Sequence, residues 1–133
     1  EIMEKVTARY SQLVMPNDLN NLGTLFGGKM VSWMDISAGK AARRFLRGSE
    51  AAGAVTKAID KMVFSEPVYG GEWVNFVATI GSAGTTSFTV DIEATAEDET
   101  GQPRPVCKAC FTFVAVKKGD DGKWYKVPHG KQM

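Results

Sequence analysis

The feature that most restricts the fold is one proline-free run of about twenty residues, from the Gly27-Gly28 pair to about Arg47, with Met30, Met34, Ala41 and Phe45 at near-helical spacing. Arg43, Arg44 and Arg47 place cations where a helix C-terminus favours them, and Gly48 follows as a stop. The rest of the chain is cut into short β-type stretches. Val6 to Val14 alternates in polarity, and Met15 to Gly23 ends it with Pro, Asn, Asp and Gly, the residues of turns. Downstream of Gly53 four more strands are predicted: Ala54 to Phe64, Glu72 to Ile80, Ser87 to Ala96 and Val106 to Lys117. The stretches Pro67 to Gly71, Gly81 to Thr86 and Gly101 to Pro105 separate them, and the charged Lys117 to Asp121 reads as a solvated turn. One early helix followed by consecutive strands predicts an α+β domain, a roughly five-stranded antiparallel sheet packed on a single helix. One helix covers little sheet, and Val106 to Val116 is apolar on both faces, so oligomerisation is expected.

With 133 residues the chain fits one domain, taken as residues 1–133. Sixteen basic and fifteen acidic side chains leave a formal charge of +1, too weak a field to suggest nucleic acid or an anionic membrane as partner. No stretch has the length and apolarity of a membrane span, and the N-terminal residues lack a signal pattern, so a soluble, cytoplasmic protein is expected. The sequence opens on Glu1 rather than methionine, which suggests that a few residues precede it. The only cysteines, Cys107 and Cys110, have metal-like spacing. On a strand, however, residues three apart point to opposite faces, and there is no second cysteine pair or histidine cluster. Two buried thiols are therefore expected, with no metal and no cofactor.

Asp35 is the residue with most chemical promise. At 100° per residue it shares a helix face with Gly28, Val31, Ser32, Ala38, Gly39 and Ala42, a small and weakly polar stripe with one charge. It lies too far inside the helix to be an N-cap, and an unpartnered carboxylate on a closely packed face is costly. The Gly27-Gly28 pair is the second candidate. Free N–H groups at a helix start, with the dipole behind them, can polarise a carbonyl. Asn20 and Asn21 read as turn residues, Gly81 to Ser87 as a hairpin with hydroxyls able to touch phosphate, and His129 as part of a loose C-terminal tail. There is no G-x-S-x-G elbow, P-loop or dinucleotide fingerprint.

Taken in order, these pieces resemble a known family. Met15 to Gly28, with Pro16, Asn20, Gly23, Gly27 and Gly28 in a P-x-x-x-N-x-x-G-x-x-x-G-G pattern, followed by Met34-Asp35, resembles the YciA/cytosolic acyl-CoA hydrolase family. Phe64 to Glu72 resembles its F-x-x-P-V-x-x-G-D/E segment, Gly84 to Ser87 its G-T/R-T-S hairpin, and Phe111 to Val116 its last strand. The resemblance runs from about Tyr10 to Pro128. It implies a hotdog fold, a dimer with a continuous sheet that is often assembled into a hexamer as a trimer of dimers, and hydrolysis of acyl-CoA thioesters.

The resemblance also assigns roles. Asp35 corresponds to the catalytic carboxylate and Asn20 to its partner asparagine, supplied by the other subunit. The helix start read above then places the Gly28 N–H to polarise the thioester carbonyl, with Gly27 letting the acyl group approach the backbone. Thr85, Thr86 and Ser87 are expected along the CoA arm. Relatives with histidine before the Gly-Gly pair differ from this chain, which has Phe26, and Ile36-Ser37-Ala38-Gly39 departs from glycine-rich relatives. A hotdog dehydratase is a weaker reading, since that chemistry pairs a histidine with its carboxylate. The non-enzymatic alternative is a protein that binds CoA or acyl-CoA without turnover.

Overall fold

A computed structural model describes residues 5–131. Its elements are β1 (Thr7–Leu13), the 3₁₀ turn Pro16–Asp18, α1 (Gly27–Phe45), β2 (Gly53–Phe64), β3 (Trp73–Ala83), β4 (Ser87–Glu97), β5 (Pro103–Lys118) and β6 (Trp124–Lys126). The sheet is antiparallel throughout, in the order β1-β3-β4-β5-β2. Strand β6 extends the β5 ladder at Val116 to Lys118. The sheet wraps one long helix, which is the hotdog arrangement implied by the resemblance. The expected elements are present with shifted ends, and β6 is an addition. Its three residues between Lys123 and Val127 are too few to show a period.

Helix α1 buries Met30, Trp33, Met34, Ser37, Ala38, Ala41, Ala42 and Phe45, so the residues that set the helical spacing do face the core. It ends at Phe45, with Leu46 as its cap, and Gly48 adopts φ +84° just beyond, a conformation disfavoured for residues with a Cβ. Strands β3 and β4 alternate as amphipathic strands should. Val74, Phe76, Ala78 and Ile80 are buried on one, and Phe88, Val90, Ile92, Ala94 and Ala96 on the other. Phe111 and Phe113 of β5 continue that inner layer, and Phe88 stacks on Phe113 at a ring separation of 5.7 Å.

The helix lies mainly over β1, β3 and β4. Strand β2, at the sheet edge, is less covered. Val55, Ile59, Val63 and Phe64 are all exposed, together with Phe26 and Ile36 nearby in sequence to the start and middle of α1. These apolar side chains are left uncovered within one chain. The second face of β5 is partly served within the chain, since Val114 and Val116 are buried.

Two expectations need correction. His129 is not part of a loose tail: it is 3 % exposed and packs edge-on against Phe45 and Phe88. Its Nδ1 accepts the Lys131 N–H, so Nε2 carries the proton and donates to the Ser87 carbonyl at 3.0 Å. The aromatic cage and these bonds supply the anchoring that the terminal position suggested was absent. The cysteines diverge as expected, but only Cys107 is buried; Cys110 is half-buried on the other face. Burial pushes the Cys107 thiol up to about 11, and burial is also the main cause that raises Cys110. Neither is poised as a thiolate nucleophile.

Candidate functional site

Asp35 projects from the middle of α1 into the space beside β2. Thr56 of β2 donates its hydroxyl proton to Asp35 Oδ1 at 2.7 Å, and no second side chain among the described residues bonds the other carboxylate oxygen. Asp35 is exposed, as are Gly28 and Ser32 on the same face, whereas Ala38 and Ala42 are buried. The close packing expected around the carboxylate is therefore not made within one chain. The carboxylate is thus hydrogen-bonded to β2, the edge strand that also carries the exposed Ile59 and Phe64.

The start of α1 offers hydrogen-bond donors. Phe26 is the N-cap residue and has no capping side chain; its carbonyl accepts from the N–H groups of Lys29 and Met30. The N–H groups of Gly27 and Gly28 are left without an acceptor among the described residues. A Cβ at Gly28 would sit 2.9 Å from Phe26 Cε2, so glycine here allows the Phe26 ring to lie over the helix start.

Asn20 is locked by its own loop. Its Oδ1 accepts the N–H groups of Leu22 at 2.9 Å and Thr24 at 3.1 Å, while Nδ2 donates to Thr24 Oγ1 at 2.9 Å. Two backbone donors fix which end of the amide is oxygen. One Nδ2 proton is left over, so Asn20 presents a donor to whatever approaches it. It has no hydrogen bond to Asp35 in the same chain.

Thr85, Thr86 and Ser87 form the β3–β4 hairpin as read from the sequence. Their carbonyls accept from His129 N–H, Ala115 N–H, and both Gly84 N–H and His129 Nε2 respectively. A cleft of about 670 Å³ opens between Gly81–Thr85 and Pro128–Lys131. The hairpin lies near the C-terminal end of α1, where Phe45 meets Phe88 at 4.8 Å. At 1.5 Å rise per residue, Phe45 is about 15 Å along the axis from Asp35.

Two features escaped the sequence reading. Thr56 gave no signal, because threonine in a β-rich stretch is ordinary strand material. The other is an ion pair between Glu72 and Arg104, thirty-two positions apart. Arg104 Nη2 bonds Glu72 Oε1 at 2.9 Å and the Pro67 carbonyl at 2.8 Å, Nη1 bonds Glu72 Oε2, and Nε lies 3.7 Å from Glu66. The Glu72 side chain is 8 % exposed. Bonding by Arg104, ahead of the opposing effect of burial, holds the Glu72 carboxyl below its ordinary value of 4.5. A depressed carboxylate stabilises the fold above its unfolded value and loses that contribution as pH falls through the folded value. Acid titration of unfolding is thus expected to show a loss of stability below pH 4.5 that shrinks in Glu72→Gln; equal acid slopes in the two proteins would contradict it.

Comparison with known proteins places this geometry. Residues 22–101 match the model of the Thioesterase superfamily. The chain is 35% identical over 120 residues to the acyl-CoA thioester hydrolase YciA of Salmonella typhimurium, a match covering 87% of this chain and 86% of that protein. The hexameric thioesterase y2039 of Yersinia pestis superposes with a TM-score of 0.77 at 35% identity, over 94% of this chain and 95% of its own. The acyl-CoA hydrolase of Staphylococcus aureus, solved with butyryl coenzyme A, coenzyme A and coenzyme A disulfide, superposes with a TM-score of 0.79 at 28% identity, over 92% of this chain and 72% of its own. That enzyme has also been solved with an aspartate, an asparagine or a threonine replaced by alanine.

Proposed function

We propose, from the premise that this chain belongs to the Thioesterase superfamily, that it hydrolyses acyl-CoA thioesters to a free carboxylic acid and CoA at a site centred on Asp35. The observation that carries the reading is the exposed Asp35 carboxylate, oriented by Thr56 of the edge strand β2 and open on its other oxygen. The residue types replaced in the Staphylococcus aureus enzyme are those of Asp35, Asn20 and Thr56.

In this mechanism the thioester carbonyl oxygen accepts from the Gly28 N–H, and the positive end of the helix dipole stabilises the oxyanion that develops. Asp35 removes a proton from water as the water oxygen bonds the carbonyl carbon. Collapse of the tetrahedral intermediate breaks the C–S bond, and the thiolate of CoA takes up the proton. Asn20, with its spare Nδ2 proton, holds the water or the carbonyl from the partner subunit. A second route uses the same carboxylate as nucleophile, through an acyl anhydride that water then opens. A single turnover in ¹⁸O-water identifies a nucleophilic route in which water opens the anhydride at the Asp35 carbonyl, since the acid then carries no ¹⁸O, whereas the general-base route puts one ¹⁸O in every acid product.

The site is completed by a homodimer in which β2 edges meet and the exposed Ile59 and Phe64 are covered; dimers assemble further into a trimer of dimers, in the cytoplasm, with residues 1–133 as one domain. No described helix is long and apolar enough to cross a membrane. Gly27 leaves room for the acyl group. Thr85, Thr86 and Ser87 contact the CoA arm, a role supported by the cleft that Thr85 lines and by the hairpin's place near the far end of α1 from Asp35. Replacing all three with alanine is expected to raise KM several-fold with kcat nearly unchanged; an unchanged KM would leave the hairpin a plain turn.

Thr56→Val keeps the strand and removes the bond to Asp35. It is expected to lower kcat about tenfold, consistent with a hydrogen bond to a charged group; wild-type kcat would show that Asp35 needs no such support. The reading as a whole is tested by mixing purified protein with acyl-CoA thioesters of graded chain length and measuring free thiol. Catalytic release at some chain length supports hydrolysis. Saturable binding without thiol release would instead identify a CoA-binding protein.

A further inference from the structure

The ion pair of Glu72 and Arg104 has no part in the chemistry above, and neither residue hydrogen-bonds Asp35 or Thr56. Its bonds lead elsewhere. Glu72 Oε1 accepts the Tyr69 N–H at 2.7 Å, and Arg104 holds the Pro67 carbonyl, so the pair grips both sides of the turn between β2 and β3. That turn is the support on which the Asn20 loop rests. Val68 O accepts the Leu25 N–H at 2.7 Å, and Thr24 pairs with Tyr69 in an antiparallel bridge. A Cβ at Gly70 would lie 3.1 Å from Leu19 Cδ1, a close approach that seats the turn against the other end of the loop. Thr24 in turn holds Asn20 through its backbone in both directions and through its hydroxyl.

We infer that Glu72 and Arg104 are positioning residues for the reaction: the clamped Pro67–Glu72 turn fixes the Asn20 loop, through Tyr69 and Thr24, so that the Asn20 amide is aimed at the partner subunit's active site. The inference rests on the proposed hydrolysis and on the role of Asn20 in it. A fork of donors and a bidentate carboxylate give a direction as well as an energy, as a lone charge would not. Burial of Glu72 means that removing Arg104 leaves its charge without compensation, and the turn has to rearrange.

The experiment uses full-length Arg104→Gln, with Arg104→Lys as a milder variant that keeps the charge and loses the fork. Both are combined with Asn20→Ala. In the wild-type background, Arg104→Gln is expected to lower kcat about tenfold with KM changed less than about threefold. In the Asn20→Ala background the same change is expected to cost less than about threefold, because the group it positions is already gone. Arg104→Lys should give the same pattern at smaller size. Hydrogen exchange supplies a readout independent of turnover: Leu22 and Thr24 amides should exchange faster by about tenfold, with amides of the β3–β4 ladder unchanged. Full additivity of the two substitutions, or unchanged kcat and exchange in the folded variants, would overturn the inference. Absence of thiol release from the wild type would instead overturn the proposed hydrolysis, and the exchange result would still decide whether the clamp fixes the loop.

Discussion

Asp35→Asn is expected to lower kcat for acyl-CoA hydrolysis by at least about two orders of magnitude while the affinity for CoA changes little. The substitution preserves the shape of the side chain and its bond with Thr56, since an amide oxygen accepts the Thr56 hydroxyl as a carboxylate does. What it removes is the charge and the basicity. Asp35 is exposed, so the loss is not expected to come with unfolding. A matched thermal melt checks that point. Both chemical routes through Asp35 fail in the variant, because an amide neither takes the proton of water at neutral pH nor attacks a thioester. Turnover near the wild-type rate in a folded Asp35→Asn protein would remove this residue from the chemistry and leave the open carboxylate without a role.

How much of this was legible in the sequence depends on the range over which the signal acts. Helix α1 is legible from local signals because Met30, Met34, Ala41 and Phe45 repeat within one element and the arginines and Gly48 mark its end, and the alternation of β4 is local in the same way. Turn residues marked the breaks between strands. Strand β6 and the burial of His129 were not legible, since three residues carry no period and the aromatic cage of Phe45 and Phe88 comes from distant parts of the chain. At the site, Asp35 stood out because a lone charge on a stripe of small residues is a local anomaly. Thr56 and the Glu72–Arg104 clamp are contacts between strands and turns far apart in sequence, and their residue types are ordinary where they stand. Asn20 owed its selection to family resemblance; by spacing it is a turn residue, and its bonds within the loop agree with that reading as well.

The central claim is one active site made by two subunits, with Asp35 from one and Asn20 from the other, and subunit mixing tests it most directly. Asp35→Ala and Asn20→Ala homodimers each lack one required group in both of their sites, so both are expected to be nearly inactive. In a mixed dimer one site carries both defects, whereas the other combines the intact Asp35 of one chain with the intact Asn20 of its partner. With free exchange at equal concentrations about half the dimers are mixed and each holds one complete site, so activity should rise to about a quarter of wild type. The measurement is thiol release after the two variants are unfolded and refolded together, with exchange verified by a mass tag on one chain. Recovery toward a quarter is the predicted result. No recovery, with mixed dimers demonstrably formed, would contradict the shared site, leaving both groups in one subunit or Asn20 outside the mechanism.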